Sequence, residues 1–147
     1  MRDFISGAAR TTIMLTCALF LLPAAKVAAQ KSFTLDSPDG RVRTVVKVGT
    51  SAVTYSVSHD GQTLLMDSPI SMKIEGKTAF GVNPRLTRSD VKTYDKQIVS
   101  PLYKKSEVRD NYKELVMRFR GDYDIIFRAY NEGIAYRIVA HSRGSLV

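Results

Sequence analysis

Residues Asp122–Ile138 read DYDIIFRAYNEGIAYRI, two runs of β-branched and aromatic residues around Asn131-Glu132-Gly133. Polar turn residues between two such runs predict a β-hairpin with a three- to four-residue loop, with Gly133 taking the positive φ. In the first arm Tyr123, Ile125 and Phe127 share one face, and Asp124, Ile126, Arg128 and Tyr130 the other, because side chains alternate along a strand. In the second arm Ile134, Tyr136 and Ile138 alternate with Ala135, Arg137 and Val139. Both faces carry apolar weight, which predicts a hairpin inside a sheet covered on both sides.

The rest of the chain repeats this extended pattern. Phe33-Thr34-Leu35 begins a strand that Asp36-Ser37-Pro38-Asp39-Gly40 closes with turn residues. Arg41–Val48 is strand-like, with Val42 and Val46 on one side and Val45 off-phase. Val53, Tyr55 and Val57 alternate with Thr54, Ser56 and Ser58, and Asp60-Gly61 favours a tight turn into Gln62–Met66. Asp67-Ser68-Pro69 then breaks the run, and Ile70–Glu75 is read as a new strand with Ile70, Met72 and Ile74 inward, ending at Gly76-Lys77. Ala79–Pro84 reads as loop, Arg85–Tyr94 as a polar edge strand, and Asp95–Tyr103 as an irregular excursion containing Pro101. Ser106–Asn111 and Tyr112–Arg120 return to extended structure, with Leu115, Met117 and Phe119 in phase. Turns every eight to twelve residues or so and no capped helical period predict one all-β domain, a sandwich or barrel.

Residues 1–29 are read as a signal peptide rather than fold. Arg2 and Arg10 precede the apolar run Ile13–Ala25, and Val27 and Ala29 satisfy the small-residue rule for cleavage after Ala29. The run is shorter than the roughly 20 residues a spanning helix needs, which argues against a retained anchor and any stable membrane span. The single cysteine, Cys17, lies inside that peptide, so residues 30–147 offer no thiolate nucleophile and no disulfide. The expected location is the periplasm or cell envelope of a Gram-negative bacterium.

The full chain carries a formal charge of +8. Its first 29 residues hold three basic and one acidic side chain, leaving +6 on the remainder. Those charges are spread along strands, without a long basic run or an aromatic platform, so nucleic-acid binding is not expected.

Catalytic groups are sparse. His59 and His141 stand alone, without neighbours at metal-ligand spacing, and no nucleophile elbow is present. Glu107, Asp110, Glu114 and Glu132 are the candidate carboxylates for glycoside hydrolysis, which requires a pair flanking the scissile bond. Tyr55, Tyr94, Tyr103, Tyr112, Tyr123, Tyr130 and Tyr136 could stack on sugar rings, but most fall in phase with apolar neighbours, as core residues do. From these residues no catalytic, cofactor-binding or metal-binding set is assigned.

Several segments in order resemble the N-terminal domain of glycoside hydrolase family 97. They are Leu35-Asp36-Ser37-Pro38-Asp39-Gly40, Tyr55-Ser56-Val57 with Asp60-Gly61 and Leu64-Leu65, Ser68-Pro69-Ile70, Tyr112-Lys113-Glu114-Leu115 and, above all, Phe127–Arg137 (FRAYNEGIAYR). The resemblance implies an antiparallel β-(super)sandwich from an exported bacterial enzyme acting on α-glucosides or α-galactosides. It further implies that a (β/α)8 barrel carries the catalytic carboxylates and most ligands of a Ca2+ ion in the full-length enzyme. No family catalytic residue falls on this sequence, so the chain alone is expected to be inactive. The sandwich is expected to be incomplete, with faces such as Ile125/Phe127 uncovered. A stand-alone envelope module binding carbohydrate or protein is the alternative reading.

Overall fold

The computed structural model describes residues 30–74, 79–99 and 107–141. The signal-peptide reading with Cys17, the Gly76-Lys77 turn, Pro101, Tyr103 and 142–147 lie outside the described residues. Eight strands are present: β1 (Lys31–Asp36), β2 (Val42–Val48), β3 (Val53–His59), β4 (Gln62–Ile70), β5 (Leu86–Val99), β6 (Glu107–Phe119), β7 (Tyr123–Tyr130) and β8 (Gly133–Ala140). They form two four-stranded antiparallel sheets, β1-β2-β3-β4 and β5-β6-β7-β8. No helix among the described residues is long and apolar enough to cross a membrane.

The expected all-β sandwich is therefore what forms, and the alternation of the sequence explains it. Leu35, Val46, Val48, Val53 and Ile70 from the first sheet meet Leu115, Met117, Phe119, Tyr123, Ile125, Phe127 and Ala129 from the second. β1 lies over β6 and β7, and β2 over β7 and β8. Burying such side chains contributes about 1.5–3 kcal/mol each, so this shared layer dominates the fold's stability. Ile125 and Phe127, expected to be uncovered, are fully buried because the first sheet closes over them. Phe127, Tyr55 and Tyr136 form a triangle of rings with centroids 5.5–5.6 Å apart.

The turns follow backbone chemistry. Asp60 and Gly61 both take positive φ (49° and 80°), joining His59 to Gln62 as the Asp-Gly pair predicts. The decisive hairpin departs from expectation: Tyr130 pairs directly with Gly133, leaving a two-residue loop of Asn131 and Glu132. Its second arm also differs, since β8 is the margin of the sheet and Ala135, Tyr136 and Arg137 are exposed.

Three strand boundaries are corrected. Asp67-Ser68-Pro69 does not break the chain but continues β4, with Pro69 opposite Thr54. β4 is an edge strand, the place in a sheet where proline is tolerated. β4 ends at Ile70, opposite Val53, where β3 itself begins; beyond it Met72 makes only an isolated bridge to Phe80 and is exposed. Asp95–Val99 is not irregular but extends β5 against Glu107–Asn111 of β6. This two-stranded extension reaches past β7, whose last partner on β6 is Lys113. Both of its faces meet solvent, so the sequence there lacks the apolar alternation that burial would impose.

Candidate functional site

Two of the motifs quoted above meet in space. In Asp36–Gly40, the Ser37 Oγ–H donates to Asp39 Oδ1 (2.6 Å), while the Val42 N–H donates to Ser37 Oγ (3.0 Å). The Arg41 N–H also donates to Asp39 Oδ1 (3.1 Å). Both donors hold the Asp39 carboxyl below the usual carboxylate range, the Ser37 hydroxyl most strongly. The Asp39 N–H in turn donates to Asn131 Oδ1 (3.1 Å), tying the β1–β2 turn to the β7–β8 turn across 92 residues. These polar residues thus fix one end of the sandwich.

The outward face of the second sheet holds a polar and aromatic cluster. Register places Tyr94, Tyr112 and Tyr130 side by side on β5, β6 and β7, with Arg128 and Glu114 next along. Tyr94 and Tyr112 are stacked (4.8 Å, 21°), and Tyr130 is tilted against Tyr112 (5.1 Å, 44°). Arg128 lies over the Tyr112 ring at 4.5 Å, and its Nε–H donates to Glu114 Oε2 (2.7 Å). The Glu114 bond holds Arg128 even further into its charged form. Glu114 is only 7% exposed, so this guanidinium is what makes its burial tolerable.

Beside this cluster Ile126, Arg128, Tyr130, Ala135, Tyr136 and Arg137 line a cleft of about 150 Å³. Typical small-molecule sites run from roughly 300 to 1,000 Å³, so the cleft by itself is smaller than such a site. The Tyr112 ring is occupied by Tyr94, Tyr130 and Arg128.

The structure does not bring the candidate carboxylates together. Glu107 Oε2 accepts from Gln97 (2.8 Å), Asp110 stands opposite Lys96, and Glu132 is in the hairpin loop. Asp110 and Glu114 share a strand face four residues apart, roughly 13 Å at 3.3 Å per residue. Glycosidase pairs stand about 5–9.5 Å apart, so these two do not form one. Among the described residues no group of three or more His, Cys, Asp or Glu side chains is arranged to hold a metal ion. Tyr123 belongs to the layer between the sheets and Tyr55 packs against it, while Tyr136, against Tyr55, stays exposed at the margin.

Both histidines have carboxylate neighbours, one adjacent in sequence and one brought in by the fold. His59 Nδ1 lies 3.3 Å from Asp60 Oδ2. His141 Nε2 lies 3.0 Å from the buried Asp124 Oδ2, in a cleft also lined by Thr87, Arg118 and Asp122. The hairpin register, which puts Asp124 opposite Val139, carried that second pairing implicitly.

A family model described as glycosyl-hydrolase 97 N-terminal matches residues 35–146, most of the chain. The chain belongs to that family. Over 130 residues it is 42% identical to the retaining alpha-galactosidase of Bacteroides thetaiotaomicron, covering 88% of this chain and 19% of that protein. Over 148 residues it is 29% identical to a probable retaining alpha-galactosidase of Streptomyces bingchenggensis, covering 88% and 22%. The chain therefore spans about a fifth of the length of these relatives. A glycoside hydrolase family 97 enzyme from Pseudoalteromonas sp. strain K8, solved with acarbose, shares the fold at TM-score 0.66 and 22% identity, covering 72% of this chain and 17% of that one. A beta-arabinopyranosidase structure matches at TM-score 0.68 and 25% identity, covering 78% and 19%. The LDSPDG and FRAYNEGIAYR segments both fall within the matched residues.

Proposed function

We propose that this family 97 chain is the non-catalytic N-terminal sandwich of an exported α-glycoside hydrolase, and that α-galactosides are the substrate class of the whole enzyme. In this reading it packs on a (β/α)8 catalytic barrel, helps shape the barrel's pocket and contributes carbohydrate contact. The observation that carries it is the 42% identity to a retaining alpha-galactosidase of which this chain aligns with 19%. The small cleft beside Arg128 supports it as well, because guanidinium and phenol donors suit hydroxyl-rich ligands but need a second surface to enclose them. The family's Ca2+ belongs to the longer enzyme; the described residues form no metal-ligand cluster, and no step is assigned to the ion here. Export with cleavage after Ala29 completes the reading and would leave β1, from Lys31, intact.

The test is a chimera in which residues 30–147 replace the matching region of the Bacteroides relative, assayed on p-nitrophenyl α-galactoside. This chain alone is expected to show no turnover, and the chimera to retain the relative's activity. Hydrolysis by the purified chain alone, or a folded chimera without activity, would refute the proposal. Intact mass of the exported product reports the cleavage, with Gln30 expected as its first residue.

A further inference from the structure

Two Asp-Gly pairs occur in the chain, Asp39-Gly40 and Asp60-Gly61. Such pairs are chemically exposed, because glycine has no side chain to shield its amide nitrogen from the carboxyl before it. Both lie in turns with positive φ at the glycine, 76° at Gly40 and 80° at Gly61. A Cβ added at either glycine would meet nothing within 4 Å, so neighbouring atoms do not crowd these turns.

One residue holds both. The Arg41 N–H donates to Asp39 Oδ1, and the Arg41 carbonyl accepts from the Asp60 N–H (2.9 Å). Its guanidinium grips the Asp60 carboxylate as a fork, Nε–H on Oδ1 (3.1 Å) and Nη2–H on Oδ2 (2.8 Å). Bidentate pairing fixes the plane of the carboxylate as well as neutralising its charge. Arg41 also holds the Asp60 carboxyl below the usual carboxylate range, depleting the protonated form through which ring closure proceeds.

The two turns differ in what restrains them. Asp39 is held by the Ser37 hydroxyl and a main-chain donor, and the Gly40 N–H is itself bonded to the Ser37 carbonyl (3.0 Å). The Asp60 carboxylate is held by side chains, the Arg41 fork with His59 beside it. Among the described residues the Gly61 N–H has no such backbone partner.

We propose that Asp60-Gly61 is an isoaspartate-forming site that the Arg41 guanidinium keeps closed. In the reaction the Gly61 nitrogen attacks Asp60 Cγ: an N–Cγ bond forms, a Cγ–O bond breaks, and the oxygen leaves as water with the amide and carboxyl protons. Water then opens the ring at the Asp60 main-chain carbonyl, and the chain continues through the former side chain. Composition is unchanged and nothing is oxidised or reduced. The added backbone carbon enters the two-residue loop that joins His59 to Gln62, at the head of the edge strand β4. Loop length sets hairpin register, so the modified chain is expected to hold β4 more loosely.

Peptide mapping by electron-transfer fragmentation, which tells isoaspartate from aspartate, reads both sites in one chain. The full chain and its Arg41→Gln variant are aged side by side near neutral pH. Arg41→Gln removes the guanidinium and keeps the main-chain bonds. Isoaspartate is expected to rise roughly fivefold at Asp60, the upper end for an exposed ion pair, and to stay constant at Asp39. An unchanged level at Asp60 would overturn the proposal. So would an equal rise at both sites, which would trace the effect to general loosening of that end of the sandwich. If circular dichroism shows that Arg41→Gln does not fold, Arg41→Lys decides by the same two sites, since lysine keeps the charge and loses the fork.

Discussion

Replacing Thr44 by valine should make this domain more stable. Thr44 lies in the middle of β2, fully buried, between Val42 and Val46 on the core face and opposite Leu35 and Val57. Its Oγ1 has no hydrogen-bond partner among the described residues. A buried hydroxyl without a partner costs about 1–3 kcal/mol, and its apolar surroundings offer nothing to hold a bridging water. Valine is nearly isosteric, adds no volume and prefers the extended backbone, so the expected gain is about 1 kcal/mol. That is roughly a fivefold change in the folded-to-unfolded ratio. In a domain of this size the melting temperature should rise by about 4 °C. Urea titration is the direct assay: the midpoint should move up while the slope stays constant. Thr44→Ser is the matched control, since it keeps the hydroxyl and deletes a buried methyl, at a cost of about 1 kcal/mol. The expected order of stability is valine, threonine, serine. A valine variant less stable than the parent would show that the hydroxyl makes a bond in solution and would refute the reasoning.

Gly81 sits at φ 80°, and a Cβ there would overlap the carbonyl oxygen of Ile70; Gly81→Ala should cost about 3 kcal/mol, measured by urea midpoint, and a neutral variant would contradict that packing. Arg128→Met should cost about 3 kcal/mol by stranding the buried Glu114, whereas Arg128→Met with Glu114→Met should recover most of the loss; a double variant as unstable as the summed singles would show the pair is not coupled. Burial pushes the phenols of Tyr55, Tyr112 and Tyr123 above the ordinary value of 10.0. The unfolded chain therefore releases these protons first, so their contribution is complete below pH 10 and declines as pH rises through the folded values. Absorbance at 295 nm should show a delayed tyrosine ionisation coincident with loss of folded signal, and simple titration of all tyrosines near 10 would count against it.

What the sequence determined by itself is local. Period-two alternation placed the core residues of β2, β3 and the second half of β6, because a strand with one buried face must alternate, while β7, buried on both faces, was marked by its continuous apolar run. Asp60-Gly61 specified its turn because few residues tolerate positive φ. Where burial imposes no pattern the sequence carries no signal: β5 beyond Tyr94 is exposed on both faces, and Pro69 reads as a break because an edge position leaves no mark in the sequence. Tertiary structure alone decided how eight strands divide into two sheets, which set Ile125 and Phe127 beneath the first sheet. Only the folded chain brings Asp39 to Asn131, aligns Tyr94, Tyr112 and Tyr130, and sets Arg128 over Tyr112 beside Glu114. Those contacts depend on the register between strands far apart in sequence, and a one-residue slip would turn each side chain to the opposite face.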